Sequence, residues 1–281
     1  MDLSVIIPVR NGAATIGTQL SALAAQSLAG EWEVIIANDG STDDTASVAM
    51  SFADRLPGLQ VVDVEGRGIP AGRNSGVAAS TGRLIAFLDA DDRVWTGYLQ
   101  ALLDASGDAD LLAGRLNEIC ILGDRRFVPE DALPVLHGFL PFAMGCTLTV
   151  TREAFEHVDG FDDAFGPTGA EDVDFSWRVQ LAGFRAAFVA DAVLDYRHRA
   201  TLRSALYQRY DWATSDAQLF KKHAANGLRT RPITKAVRHW GSLVVHLPNL
   251  ARRVDRLDWL GELAVVSGRL HGCFRHRYFA P

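Results

Sequence analysis

The stretch Leu84-Ile85-Ala86-Phe87-Leu88-Asp89-Ala90-Asp91-Asp92 sets the interpretation of the whole sequence. Five apolar residues in a row predict a strand that is buried on both faces of a sheet. In open α/β sheets, ligands bind just beyond the carboxyl ends of the strands, which is where this strand delivers three carboxylates. Crowded carboxylates favour a hard divalent cation such as Mg²⁺ or Mn²⁺. The alternative is a polar turn that only ends the strand.

The composition is that of a globular protein of 281 residues, with 48% hydrophobic and 22% charged residues. The three cysteines are far apart in the sequence and odd in number, so neither a disulfide framework nor a structural zinc site is indicated. A reducing, cytoplasmic location is the expectation. The uncharged segment 132–150 is not predicted to cross a membrane, because prolines and glycines interrupt it and its end is typical of a strand.

Alternating strand and helix patterns fill the first part of the chain. Strands are predicted at 3–9, 32–37, 59–64 and 84–88, with helices at about 16–26, 41–53 and 71–79. This order predicts a doubly wound, mostly parallel α/β sheet. Further elements are predicted as follows: strands at 110–122 with a bulge at Gly114, at 146–150, 188–189 and 193–194, and helices at 95–103, after the cap Thr151, at 171–181 and beyond 201. Core positions are predicted for Trp177, Trp212 and Trp240.

Charge is distributed unevenly. Residues 1–199 contain 14 Lys and Arg and 29 Asp and Glu, a net charge of −15, whereas residues 200–281 contain 14 and 5, a net charge of +9. We therefore expect two domains, 1–199 and a basic helical extension at 200–281. The negative first part argues against nucleic acid as a partner.

The basic extension contains apolar residues at helical spacing, flanked by Arg252, Arg253 and Arg256. These apolar residues are Leu247, Leu250, Val254, Leu257 and Leu260. A basic amphipathic helix is typical of a membrane-surface element. The alternatives are a helical cap on the first domain and a dimer contact.

Polar residues at two strand and helix ends are candidates for binding a nucleotide. Asp39 ends the second strand, where its carboxylate suits a base N–H or a ribose hydroxyl, or else belongs to a helix-capping turn. Arg73 and Asn74 open a helix, and a helix N-terminus with an arginine suits a phosphate or ribose. The alternative for Arg73 is an exposed helix position.

Two further groups are candidates for catalysis and metal binding. Asp172, beside Glu171 at the positive end of a helix, is a candidate general base for a hydroxyl, and simple helix capping is the alternative. His198 follows a predicted strand, where an imidazole beside carboxylates would complete a metal shell. The alternative for His198 is a surface or packing residue.

Six motifs in a single order resemble glycosyltransferase family 2 with the GT-A fold, over roughly residues 1–199. They are Val-Ile-Ile-Pro-Val-Arg-Asn11, Asn-Asp-Gly-Ser-Thr-Asp43, Gly-x-Pro-x-x-Arg-Asn-x-Gly76, Phe-Leu-Asp-Ala-Asp-Asp92, Gly-Phe-Asp-Asp163 and Glu-Asp-Val-Asp-Phe-Ser-Trp-Arg178. The resemblance implies a nucleoside pocket lined by Pro8, Arg10 and Asp39. It also implies that Asp89 faces the ribose, that Asp91 binds the metal with His198, and that Asp172 of the Glu171-Asp172 motif is the base. Asn38 stands where the family commonly has Asp, so altered contacts are expected there.

The resemblance further implies an inverting transfer of a sugar from a nucleoside diphosphate, most commonly UDP, to an acceptor hydroxyl, with Mn²⁺ or Mg²⁺ as cofactor. A glycan, glycolipid or lipid-linked acceptor would fit a cytoplasmic protein that is peripheral on the inner face of a membrane. The main alternative is a non-catalytic relative that binds a sugar nucleotide or a partner without turnover. A sugar-nucleotide pyrophosphorylase would need a basic glycine-rich loop after the first strand, which 8–12 does not supply.

Overall fold

The structure is a computed structural model that describes residues 1–66, 68–119, 125–127, 132–198, 201–251 and 253–280. Two compact units form, one from Met1–Gly166 with Glu171–His198 and the other from Pro167–Ala170 with Arg199–Pro281. Among the described residues, no helix has both the length and the apolar composition required to cross a bilayer.

The first unit is built on a mixed sheet of nine described strands. They are β1 (Leu3–Val9), β2 (Trp32–Asp39), β3 (Gln60–Val64), β4 (Leu84–Phe87), β5 (Arg93–Val94), β6 (Leu111–Ile119), β7 (Arg125–Phe127), β8 (Leu148–Thr151) and β9 (Ala186–Arg197). The order is β3-β2-β1-β4-β8-β6-β9-β5, and β7 pairs with β6. The α-helices of the described part of this unit are α1 (Ile16–Ala24), α2 (Thr45–Met50), α3 (Ile69–Ala78), α4 (Tyr98–Ala105), α5 (Arg152–His157) and α6 (Glu171–Leu181).

Strands β3, β2, β1 and β4 are parallel, as the alternating pattern predicts. Each is joined to the next by a segment that contains a helix, which is the connection that parallel strands require. Buried apolar residues lie on both faces of these strands, in one cluster around Leu20 and Ile36 and a second around Phe87 and Phe175. The central strands β1, β2 and β4 are mostly apolar because both of their faces are covered, whereas Gln60 and Asp63 of the outer strand β3 are exposed.

The other half of the sheet is mixed. Strand β8 is antiparallel to both β4 and β6, whereas β6 and β9 are parallel. The predicted bulge at Gly114 is confirmed, because the register between β6 and β9 shifts between Gly114 and Arg115. A Cβ at Gly114 would collide with the Ala192 carbonyl oxygen and stand 3.3 Å from its carbon. The two short strands predicted at 188–189 and 193–194 are one strand that passes this bulge. Residues 120–122 of the predicted strand 110–122 lie outside the described residues.

Local helix signals in the first unit are confirmed. The Thr151 side chain accepts a hydrogen bond from Ala154 N, which caps α5. Helix α6 has the predicted bounds, and Trp177 on its inner face is fully buried. Its indole nitrogen donates to the Leu140 carbonyl at 2.9 Å, so the one polar atom of this core side chain is satisfied.

The second unit is helical, with α7 (Leu202–His223), α8 (Ile233–Val245), a 3₁₀ turn (Leu247–Ala251) and α9 (Arg253–His276). Helices α7 and α9 pack closely, because glycines of α9 face α7. A Cβ at Gly268 would stand 3.0 Å from Ala213 Cβ, and one at Gly272 would collide with the Thr214 carbonyl oxygen. The predicted core positions of Trp212 and Trp240 are wrong, since their exposed fractions are 52% and 42%.

Candidate active site

Parallel pairing brings the ends of β1, β2 and β4 to one edge of the sheet. Pro8 of β1 pairs with Ala37 of β2, and Phe87 ends β4 beside β1. Asp39 and Asp89 therefore leave the sheet at the edge that Pro8 reaches. This is the edge at which open α/β sheets bind ligands.

Several hydrogen bonds join the loop after β1 to the segment after β2. Asn11 N donates to Ser41 Oγ at 2.9 Å, Thr42 N donates to Asn11 Oδ1 at 2.8 Å, and Ala13 N donates to Asp43 Oδ2 at 3.1 Å. Asn11 has a φ of 54°, in the left-handed region that asparagine adopts more readily than most residues. These hydrogen bonds hold the two loops together as one rim beside the strand ends.

Asp39 is buried behind this rim. Its Oδ2 accepts from Gly68 N at 3.1 Å, and its Oδ1 is buried without a hydrogen-bond partner among the described residues. A buried carboxylate oxygen requires a donor, because leaving it unpaired costs a large part of its lost hydration. A base N–H or a ribose hydroxyl is such a donor. At the same strand edge Pro8 is partly buried and Arg10 is exposed.

Arg73 of α3 lies between the carboxylates of two distant segments. Its Nη1 donates to Glu171 Oε1 at 2.8 Å, and its Nη2 lies 3.7 Å from Asp89 Oδ1. Burial by itself lowers the pKa of Arg73, but the charges of Glu171 and Asp89 outweigh it and raise that pKa, so the guanidinium stays charged. The structure therefore connects the Asp89 segment to the start of α6.

The guanidinium of Arg73 is almost completely enclosed. It lies over the rings of Phe161 and Phe87, with its Cζ 5.1 Å and 5.9 Å from the two ring centres. Gly145 closes the remaining side, since a Cβ there would stand 2.9 Å from the Arg73 Cζ. The alternative of an exposed helical arginine is wrong, because only 2% of Arg73 is exposed.

Glu171 and Asp172 open α6, and their environments differ. Burial, together with the charge of Asp172, raises the pKa of Glu171 to about 7, although the Arg73 guanidinium acts in the opposite direction. Asp172 is partly buried and accepts two backbone hydrogen bonds, each 2.8 Å long, from Gly145 N and from Val173 N. Asp172 is therefore held in one orientation by two different segments.

The structure uses the Asn74 side chain to hold a turn. Its Nδ2 donates to the Phe161 carbonyl at 2.8 Å, and its Oδ1 accepts from Phe161 N at 2.9 Å. The amide thereby fastens α3 to the turn at Gly160, which has a φ of 63°. A contact from Asn74 to a nucleotide sugar stays a prediction.

A group of ligand atoms that could hold a metal ion comprises Asp89, Asp92 and Cys146, all within 4.8 Å of one another. Burial and the neighbouring Asp92 and Asp89 charges raise the pKa of the Cys146 thiol well above its usual value, so the sulfur keeps its proton. The two carboxylates are hard donors of the kind that Mg²⁺ and Mn²⁺ prefer. The residues present therefore fit a divalent cation bound mainly through oxygen.

The two predicted metal ligands, Asp91 and His198, are the neighbours in sequence of Asp92 and Arg197, which are hydrogen-bonded to each other in the structure. Arg197 N donates to Asp92 Oδ1 at 2.8 Å, which brings the end of β9 to the carboxylate cluster. The ring of His198 packs edge-on against Tyr196, with ring centres 5.1 Å apart. Metal binding by Asp91 and His198 stays a prediction.

Sequence patterns did not single out Gly145, Cys146 or Asn11. Asp92 carried a signal, because it belongs to the same run of acids as Asp89. Cys146 and Gly145 carried none, since they lie in an uncharged segment far along the chain and reach the cluster only through the pairing of β4 with β8. Asn11 belongs to the first of the six motifs, but its role in joining two loops depends on the approach of those loops in the folded chain.

Fold and site together define an α/β protein with a carboxylate cluster and an acidic helix start at the carboxyl ends of its parallel strands. The family model described as Glycosyl transferase family 2 matches residues 4–127, and the model described as Glycosyl transferase family group 2 matches residues 133–273. The chain belongs to glycosyltransferase family 2. The second match includes α7, α8 and most of α9, so it extends beyond the residues that carry the sequence resemblance.

Curated relatives include the pre-mycofactocin glycosyltransferase of Mycobacterium tuberculosis, 29% identical over 95% of this chain and 57% of that protein. The validoxylamine A glucosyltransferase of Streptomyces hygroscopicus subsp. jinggangensis is 30% identical over 72% of this chain and 58% of that protein. The chain thus spans a little over half the length of these relatives.

Solved structures with the same fold include the mannosyltransferase PcManGT from Pyrobaculum calidifontis in complex with GDP-Man and Mn²⁺. Its TM-score is 0.71 at 18% identity, over 97% of this chain and 87% of that one. S. aureus TarS 1–349 in complex with UDP-GlcNAc has a TM-score of 0.61 at 17% identity, over 100% and 93%. The fold is α/β GT-A with a C-terminal helical extension, which confirms the predicted fold class.

Proposed function

We propose that this chain transfers a sugar from a nucleoside diphosphate donor to an acceptor hydroxyl, with inversion at the anomeric carbon. The observation that carries the proposal is the buried Arg73, which lies 2.8 Å from Glu171 and 3.7 Å from Asp89. This single cation connects a donor-side carboxylate to the helix that bears the candidate base. A ligand placed between those segments would meet both binding and proton-accepting groups.

On the donor side, Asp39 accepts from the base or ribose, with Pro8 and Arg10 at the same rim. Asp89 serves the ribose, and Arg73 keeps Asp89 in position. UDP is the expected nucleotide, by family resemblance; GDP-Man and UDP-GlcNAc are bound in the two similar structures.

Asp91 and His198, with Asp89 and Asp92 beside them, would hold Mn²⁺ or Mg²⁺. When bound, the ion neutralises negative charge on the diphosphate leaving group. Mn²⁺ is present in the similar mannosyltransferase structure. The oxygen-rich donor set of this chain supports the same class of cation.

On the acceptor side, Asp172 takes the proton of the attacking hydroxyl. The hydrogen bonds from Gly145 N and Val173 N hold its carboxylate in position before substrate arrives. Glu171 pairs with Arg73 and thereby fixes the first turn of α6. One base and one in-line displacement invert the sugar carbon, and no nucleophile of the protein is required.

The proposed acceptor is a glycan, glycolipid or lipid-linked sugar of cell-envelope polysaccharide synthesis. The proposed location is the cytoplasm, with peripheral membrane contact through residues 200–281. The different-class alternative is a family member that binds a sugar nucleotide without transferring the sugar. The Asp172 position, held by two backbone donors beside the carboxylate cluster, favours catalysis.

A thermal-shift panel of UDP, GDP, TDP and CMP, each with and without Mn²⁺, tests the donor. A nucleotide at 100 times its Kd stabilises by about 2.7 kcal/mol, which raises Tm by roughly 5–10 °C for a chain of this size. A shift with one nucleotide that requires metal supports the proposal. The absence of any shift would reject the donor assignment.

Two variants separate binding from transfer. Asp91→Ala should abolish the metal-dependent shift, whereas Asp172→Asn should keep the shift and lose sugar transfer, measured by release of nucleoside diphosphate in the presence of acceptor. Asp54→Asn, at an exposed position of the first unit, is the matched control and should change neither. Transfer at the wild-type rate by Asp172→Asn would show that Asp172 is not the base.

A further inference from the structure

Helix α8 exposes a continuous apolar stripe. The stripe consists of Ile233, Val237, Trp240 and Val244, with exposed fractions of 58%, 64%, 42% and 65%. At 100° per residue these positions fall within about 60° of the helix circumference, so they form one narrow face. Scattered surface apolar residues are ordinary, but four aligned on one helix indicate a surface that another apolar phase covers.

A different face of α8 holds it in the second unit. Leu243 is buried, and its carbonyl accepts a hydrogen bond from Trp259 Nε1 of α9 at 2.9 Å. His239 Nε2 lies 2.6 Å from Glu262 Oε2, also of α9. These two described contacts of α8 with α9 lie outside the stripe.

The stripe lies within a strongly basic part of the sequence. Between Asp216 and Asp255 the chain has eight Lys and Arg residues and no Asp or Glu. Lys235 and Arg238 of α8 are both exposed, outside the apolar stripe. A helix with an apolar face, a basic polar face and a tryptophan at the boundary has the composition of an interfacial membrane helix.

We propose that α8 lies flat on an anionic lipid surface and inserts the stripe between the lipid headgroups. The positive charge of residues 217–254 favours anionic lipid over the other surfaces that could cover the stripe. A second copy would bring the same excess of positive charge against itself, and a nucleic acid would leave three aliphatic side chains in water. Anionic lipid neutralises the basic residues and buries the stripe in the same contact.

The predicted amphipathic element at 247–260 is placed differently in the structure. Its residues fall in a 3₁₀ turn and in the start of α9, where Leu247 and Leu257 are 48% and 45% exposed, whereas the stripe of four aligned residues belongs to the preceding helix α8. Helix α8 would thus make the membrane contact proposed for residues 200–281. Its purpose, access to a lipid-linked acceptor, rests on the proposed function. Its test does not depend on sugar transfer.

The experiment is flotation of the full chain with vesicles of phosphatidylcholine containing 30 mol% phosphatidylglycerol, and with phosphatidylcholine alone. Binding should require the anionic lipid and weaken by at least about tenfold between 0.05 and 0.5 M NaCl, because salt screens the basic surface. Failure of the wild-type chain to float with anionic vesicles would overturn the proposal.

Charge-neutral substitutions separate the stripe from general electrostatics. Val237→Asn with Val244→Asn should weaken vesicle binding by more than about tenfold, since each valine loses its burial in lipid. The matched control is Thr234→Asn with Ser242→Asn, at exposed positions of α8 outside the stripe, and should stay within about threefold of the wild type. Equal binding by the two double variants would overturn the proposal.

A conservative variant guards against misfolding as an explanation. Tryptophan emission should shift to shorter wavelength on anionic vesicles, and Trp240→Phe should remove most of that shift while binding persists. A dimer in sedimentation that dissociates on Val237→Asn with Val244→Asn would instead assign the stripe to a second copy. The nucleotide-induced rise in Tm should persist in the α8 variants that no longer bind vesicles. That result would show that the membrane contact and the nucleotide site can be tested independently.

Discussion

Replacing Gly145 by alanine tests whether the enclosed Arg73 organises the candidate active site. The new Cβ would stand 2.9 Å from both Cζ and Nη1 of Arg73 and closer still to Nη2. Because ordinary contacts begin near 3.4 Å, the guanidinium must move by about 0.5 Å or more. It is buried and held by Glu171 at 2.8 Å, so the movement strains that ion pair.

The expected cost follows from the bond that is disturbed. A hydrogen bond to a charged group contributes about 1.5–3 kcal/mol, and overpacking a dense interior costs a similar amount. We expect Gly145→Ala to lower the free energy of unfolding by about 2 kcal/mol. Since Gly145 N also positions Asp172, sugar transfer should fall by at least about tenfold, which corresponds to 1.4 kcal/mol.

Urea unfolding and the transfer rate measure the two effects. The matched control is Gly107→Ala, because a Cβ at Gly107 meets open space and its backbone is compatible with alanine. That control should change stability by no more than about 0.5 kcal/mol. If Gly145→Ala unfolds and transfers sugar like Gly107→Ala, the guanidinium is free to move and the reasoning about its enclosure is refuted.

Two further predictions concern the pKa of one carboxyl and the packing of one helix pair. The pKa of Glu171 is raised from 4.5 to about 7 in the folded chain, so the folded chain binds this proton more tightly than the unfolded chain does. The resulting stabilisation is at most about 3 kcal/mol. It is fully present below pH 4.5 and is lost as the pH rises through 7. Urea unfolding at pH 5 and pH 8 should show this fall in the free energy of unfolding of the wild type, and a smaller fall in Glu171→Gln. An equal fall between the two pH values in both proteins would contradict the raised pKa of Glu171. In the second unit, Gly272→Ala should destabilise by about 2 kcal/mol, because its Cβ would collide with the Thr214 carbonyl. Gly241→Ala, whose Cβ meets open space on α8, should not destabilise, and equal losses in the two variants would contradict the close packing of α7 on α9.

The parallel half of the sheet was predictable because its information is local. Uninterrupted apolar runs such as Leu84–Leu88 report burial on both faces, and the acids that end them report a strand terminus. The Thr151 cap and the bulge at Gly114 were also predictable, because each depends on residue types within a few positions of the sequence. The six motifs in order identified the family, which the family matches confirm.

The candidate site was predictable as a set of residue types and not as a set of contacts. Asp39, Asp89 and Asp172 were named from strand and helix ends, and the structure brings those ends to one edge of the sheet. The pairing of Arg73 with Glu171 spans 98 positions, and no local pattern specifies it. The hydrogen bonds of the Asn74 amide to the Phe161 backbone were likewise not predictable from the sequence, because the two residues are 87 positions apart.

The sequence by itself determined the strand and helix periodicity, the carboxylate run, the basic extension and the family. Tertiary structure alone decided that Cys146 and Asp92 meet Asp89, that Arg73 is enclosed, and that Trp240 lies on an exposed face. The physical reason is that periodicity records only whether a residue suits burial. Which surface covers an apolar face, and which charges share a cavity, depends on segments that the sheet and the helix packing bring together from far along the chain.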